Sequence, residues 1–232
     1  MKTMIVKIWG ILLFSVLALA AGAESPFPGD RDLPALNTAA GAGYLSPAEK
    51  EVIFEINKLR ANPKQYAESC LVPLIAGYQG KKLYLPGEVP ILTQEGVSAL
   101  HDCIRELKRA APQPPLYPDY GLTLAARDHV SDQSRTGKTG HTGSDRSSSR
   151  TRIERYGSWQ FAIAENIFYG ESDARRVVIH LLIDDGVPGR GHRKNFLNSD
   201  FRLVGVAFGK HPKYKNMCVM DFAGSFQQSQ RQ

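Results

Sequence analysis

The chain has 232 residues, 42% of them hydrophobic, with three cysteines and a formal net charge of +6. That length suffices for one domain with a full hydrophobic core, and three cysteines are too few for a disulfide scaffold. The basic excess is spread over both halves without a Lys/Arg block, which argues against nucleic acid as a partner.

Lys2 and Lys7 flank the start of an uncharged apolar run, Ile8 to Ala21, and Ala21-Gly22-Ala23 offers a small-x-small cleavage site. The run is shorter than the roughly 20 residues that span a bilayer. Residues 1–23 are therefore expected to be a cleaved signal peptide. The mature chain is expected to be exported, secreted or periplasmic, with no transmembrane segment.

Residues 24–45 are rich in Pro, Gly, Ala and Asp without periodicity and read as a flexible leader to a domain over 46–232. Ser46-Pro47-Ala48-Glu49 is a capping box with proline at the first helical position. Val52, Ile53, Ile56 and Leu59 follow at helical spacing, and Asn62-Pro63 ends the helix. From 64 to 118 the chain is unusually rich in proline and glycine. Its first part, 64–92, reads as irregular; a second helix is expected from about Gln94 to Arg109, ended by APQPPLYP. Cys70 and Cys103 are the favoured disulfide pair, while Cys218 reads as a small buried hydrophobe.

A third helix is expected over Leu122–Thr136, then a Gly/Ser-rich loop, 137–152, that begins within RTGKTGHTGSD. This is not a phosphate loop: Asp132 stands where the first glycine is needed, and no helix is expected after Thr139. Phe161–Phe168 alternates as a strand. Ser172 is read as the cap of a fourth helix through Asp185, with Val177, Val178, Leu181 and Leu182 as its apolar stripe. Strands follow at Leu203–Gly209 and Met217–Phe226. Helices first and strands later, with no βαβ repeat, predict an α+β fold.

Chemistry concentrates in the second half, at His141, Glu165, Asp184, Asp185 and His192, each beside glycine or at an element end. Two imidazoles and two carboxylates suit a divalent metal, with zinc and copper favoured by imidazole. There is no HExxH or CxxC, so the spacing alone is not diagnostic. No GxSxG elbow exists, and none of the cysteines has a polar, glycine-rich setting, so nucleophilic catalysis is not expected. His129 is read as a packing or hydrogen-bonding residue, and His101, His180 and His211 as surface residues. The run 144–152 is read as a solvated loop whose Arg146, Arg150 and Arg152 are available to an anionic ligand.

The order of motifs resembles the CAP superfamily, or SCP domain, which includes cysteine-rich secretory proteins, antigen 5 and plant pathogenesis-related 1. The resemblance is carried by INKLRANP (56–63), LTLAARDH (122–129), GHTGSD (140–145), AENI (164–167), GHRKNFLNSDFRLVGVAFG (191–209) and MCVMDFAGSF (217–226). Bacterial exported members look most similar. The resemblance implies an α-β-α sandwich, with a small, mostly antiparallel sheet between helical layers. It also implies a cleft lined by two histidines and two acids that holds zinc in some members. Matched motif by motif, these are His141, Glu165 of AENI and His192 of GHRKN. The second acid, glutamate in many animal members, falls at Asp184, with Asp185 the alternative. Three functions follow from the resemblance. The first is an exported binding protein whose cleft holds the metal and accepts a lipid, sterol or glycan. The others are a metal-dependent hydrolase of peptides or envelope polymers, with Glu165 or Asp184 as base, and a non-catalytic interaction module.

Overall fold

The computed structural model describes residues 33–85, 89–170 and 172–229. The signal-peptide expectation for residues 1–23 lies outside them, as does the first part of the leader. Among the described residues no helix is long and apolar enough to cross a membrane.

The helices are α1 (Leu33–Leu36), α2 (Pro47–Ala61), α3 (Pro63–Tyr66), α4 (Val97–Leu107), α5 (Tyr120–Thr136), α6 (Ser149–Glu154), α7 (Ala174–Ile183) and α8 (Gly191–Leu197). A small antiparallel sheet is built from β1 (Tyr78–Gln79), β2 (Lys82–Leu83) and β3 (Ile91–Leu92). The main sheet contains β4 (Tyr117–Pro118), β5 (Gly157–Gly170), β6 (Leu203–His211) and β7 (Lys215–Gln228) in the order β4-β6-β7-β5. It is antiparallel except where β4 runs parallel to β6.

Alternation along the strands sends successive side chains to opposite faces and so divides the core in two. Val204, Val206, Cys218, Met220 and Phe222 face α2, α7 and α8. Ala207, Val219 and Ala223 face α5 and α6. The fold is thus α+β, with the main sheet between helical layers. On the edge strand β5, Glu165 lies opposite Asp221 on the α5/α6 face, whereas Asn166 lies opposite Met220 on the α7/α8 face.

The start of α2 shows how local sequence becomes tertiary contact. Ser46 Oγ accepts the Glu49 N–H at 3.3 Å, and the Glu49 carboxylate accepts the Ser46 N–H at 2.7 Å. The same carboxylate accepts the Phe208 N–H of β6 at 3.1 Å, so the capping residue also fixes the helix to the sheet. Val52, Ile53, Ile56 and Leu59 are fully buried beneath it.

Several expectations are corrected. Residues 33–45 are packed rather than a flexible leader: Ala39 and Leu45 are buried, and Asn57 Nδ2 donates to Leu36 O at 2.9 Å. The segment after Pro63 is not irregular. Asn62 ends α2 and caps α3 with the same residue, helical turns continue to Gly77, and β1–β3 follow. Two-residue strands are too short to leave an alternation in the sequence. The Cys70–Cys103 disulfide is not formed; all three cysteines are free and buried. Cys103 instead donates to Leu182 O at 3.3 Å. Sequence spacing carries no information on the Cβ geometry a disulfide needs, and burial pushes the Cys70 and Cys103 thiols up to about 11 and about 12. Asp173, not Ser172, caps α7.

Candidate functional site at the edge of the sheet

α5 ends in a left-handed Gly137, and the loop beyond it is held at several points. Gly140 O accepts from Gln133 Nε2 at 2.6 Å and lies 2.8 Å from His129 Nε2, while Tyr169 Oη accepts the Gly140 N–H at 2.9 Å. His129 is fully buried, as expected for a packing residue, and burial pushes its imidazole below the usual histidine value. His211, expected at the surface, is buried and bonds Lys138 O at 3.0 Å. The loop delivers His141 to Glu165, with Nδ1 and Oε1 2.8 Å apart. The histidine side chain is 55% exposed and the glutamate 1%.

The other oxygen of Glu165 accepts from Arg152 Nη2 at 2.6 Å. Arg152 is 1% exposed, not solvated as its Ser/Arg-rich surroundings suggested. Its guanidinium also donates to His141 O at 3.2 Å and Ser147 O at 3.1 Å. One buried cation therefore compensates the glutamate and shapes the histidine loop. Such a charge is tolerated in the interior only when paired and hydrogen-bonded. It is placed by α6, a short helix inside the stretch read as loop, which Ser148 caps by accepting the Thr151 N–H at 3.1 Å.

The second histidine arrives from the opposite layer. α7 ends at Asp184, itself left-handed at φ 57°. Its carboxylate accepts the His192 N–H at 3.0 Å and meets His192 Nδ1 at 2.6 Å. Asp185 turns away and accepts the N–H groups of Gln94 and Glu95 at 2.6 and 2.9 Å. Asp184 is thus the acid beside the histidine, and Asp185 holds the approach to α4. Asn166 donates to His192 O at 3.1 Å and accepts from Asn195 at 2.7 Å, tying α8 to β5. α8 itself was not anticipated: it has seven residues and no side-chain cap.

The two imidazoles meet beside β5, ring centroids 6.5 Å apart and planes inclined by 30°. The structure brings His141, Glu165, Asp184 and His192 together, but not as four converging ligands. Glu165 uses one oxygen on His141 and the other on Arg152; Asp184 uses both on His192. Among the described residues there is no group of three or more His, Cys, Asp or Glu arranged to hold a metal. The two Nε2 atoms have no protein partner among the described residues. An imidazole bound through Nδ1–H to a carboxylate presents its lone pair at Nε2.

Beneath this pair lies an acid that motif reading missed. Asp221 is fully buried, and neither carboxyl oxygen has a hydrogen-bond partner among the described residues. Burial, with the Glu165 charge beside it, pushes its carboxyl well above the usual range. Its sequence setting, MCVMDFAGSF, gave one signal: a lone acid in an otherwise apolar strand.

A family model described as the cysteine-rich secretory protein family, CAP, matches residues 54–222. The chain belongs to the CAP family. The matched stretch runs from α2 into β7 and contains both histidines, both acids and Arg152. Among solved structures, this CAP chain is similar to an outer surface protein from Borrelia burgdorferi, at 20% identity and a TM-score of 0.40, over 49% of this chain and 78% of that one. It is also similar to an extracellular SCP-domain protein from Bacillus anthracis, at 24% identity and a TM-score of 0.39, over 53% of this chain and 37% of that one. No curated protein matched.

Proposed function

We propose that this CAP chain is an exported, non-catalytic binding protein whose His141–His192 pair holds one divalent metal, zinc by donor chemistry, in a ligand-accepting cleft. The observation that carries this reading is the double carboxylate–histidine arrangement. Each Nδ1 is bonded to a carboxylate and each Nε2 is left without a protein partner, with the rings 6.5 Å apart. Metal-ligating histidines commonly donate their other ring N–H to a carboxylate, which sets the tautomer and ring orientation. On this reading Glu165 and Asp184 orient ligands instead of serving as ligands, and Arg152 and Asn166 hold the two halves. A bound zinc would supply Lewis acidity at positions left open to an external ligand. All four oxygens of Glu165 and Asp184 already engage His141, Arg152 and His192, which supports an orienting role for these two carboxylates over that of the hydrolytic base. Export rests on the signal-peptide pattern of residues 1–23.

The test is a calorimetric zinc titration of the mature chain. The expected outcome is one-site binding that disappears in the His141→Ala/His192→Ala double variant and weakens by about 10–100-fold in Asp184→Asn. Identical heats for the parent and the double variant would overturn the metal reading.

A further inference from the structure

On the edge strand β5, Phe161 is 82% exposed, and its backbone is left-handed at φ 71°. A bulky side chain in that region is strained, and strain of this kind gathers at functional positions. The residue falls in the bulge between Gln160 and Ile163, where pairing with β7 is interrupted.

Beside it is an open groove of about 420 Å³, lined by Phe161, Asp200, Arg202 and Gly224. Gly224 lets the walls meet at the floor: a Cβ there would lie 3.0 Å from Asp200 O and 3.1 Å from both Gln160 O and Phe161 Cβ. The Asp200 carboxylate has no partner among the described residues. Arg202 is anchored through Nη1, which donates to Ser199 O and, at 2.9 Å, to Phe201 O. Its Nε and Nη2 have no partner among the described residues. Both side chains are exposed.

An aromatic knob, a hollow, a free carboxylate and a free guanidinium thus sit together at one end of the main sheet. An extended peptide adding to β5 would need a regular ladder, which the bulge interrupts here. A groove this open would leave a small molecule largely in solvent, whereas ligand sites bury most of their occupant. A second copy of this chain supplies every complement. The knob lies beside the hollow and the acid beside the base, so a two-fold axis brings each onto its counterpart.

We propose that this face is a self-association surface. Phe161 of one protomer enters the groove of its partner, Asp200 pairs with the partner's Arg202, and symmetry repeats both contacts. The patch is small, so the dimer is reversible and lies at the low end of specific interfaces. It uses neither histidine and is independent of the metal reading.

The test is sedimentation equilibrium of the mature chain at concentrations up to about 1 mM. The expected outcome is a monomer–dimer equilibrium that weakens as salt is raised. Phe161→Gly suits the left-handed backbone, so it should raise the urea midpoint while weakening the dimer by about tenfold or more. Asp200→Arg and Arg202→Glu should each weaken it as well, because each sets like charges opposite one another twice. An equimolar mixture of those two variants should associate where neither does alone, since the mixed dimer restores both opposite-charge pairs. A purely structural role for the two residues would give no such rescue. A parent that stays monomeric overturns the proposal, as does a dimer indifferent to Phe161→Gly or a mixture without rescue. Zinc heats should match the parent's in every variant, so failure of the dimer leaves the metal reading standing, and the reverse.

Discussion

Asp221 combines full burial with two unpartnered carboxyl oxygens and a direct cross-strand position opposite Glu165. The charged groups beside it are Glu165 of β5 and Arg152 of α6; both Nη atoms of the guanidinium serve Glu165 and the His141 loop, while its Nε has no partner among the described residues. A carboxyl whose pKa is raised by folding contributes stability that is fully present below its unfolded value, ~3.9, and is lost as pH rises through the folded value. Asp221→Asn removes that pH dependence. Its urea midpoint should exceed the parent's at pH 7, with the gap closing as pH falls toward 4. A variant less stable than the parent at pH 7 would instead make Asp221 an ionised partner of Arg152. At this scale the histidines and their acids were legible because they sit in motifs. Arg152 was not, because an arginine in a Ser/Arg-rich run looks solvated until the fold encloses it.

Elements follow the same division. α2 and α5 have caps and apolar spacing in the sequence, and both form within a few residues of expectation. β5 runs over Gly157–Gly170, longer than the alternation of 161–168, because cross-strand pairing with β7 continues past a bulge between Gln160 and Ile163. The contact of β6 with α5 depends on a glycine that local pattern does not explain. A Cβ on Gly205 would collide with the backbone of Leu122 and Thr123. Backbone cannot rotate aside as a side chain can, so Gly205→Ala should cost about 3 kcal/mol in urea unfolding, at the upper end of overpacking penalties. A cost under ~1 kcal/mol would mean that α5 can shift away from the sheet without penalty.

Across the whole molecule, one buried residue joins α2 to the chain before β4 and to the end of α8. The Arg60 guanidinium donates to Pro114 O at 2.9 Å, Phe196 O at 2.7 Å, Asn198 O at 3.0 Å and Phe201 O at 3.2 Å. Burial brings its pKa down to about 10, so it is charged at neutral pH and its bonds are charge-assisted. Arg60→Met keeps much of the volume but leaves four carbonyls without their donor. It should destabilise the fold by at least ~3 kcal/mol, since each buried unsatisfied group costs ~1–3 kcal/mol. It should also weaken zinc binding, because the bonds to Phe196 O and Asn198 O hold the end of α8, which carries His192. Parent-like stability would show that the carbonyls find other partners.

The sequence by itself determined the α+β class, the capped helix α2 and the core strands, and its motifs put forward His141, Glu165 and His192 as site candidates, because those depend on short-range spacing and on motifs read in order. Tertiary structure decided which of the two aspartates meets His192, since adjacent residues at a helix end differ only in the direction their backbone takes. It also decided that Arg152 and Asp221 lie under the site and that the cysteines stay apart. Each of these is a relation between residues far apart in the chain, set by how the layers pack and not by any local preference.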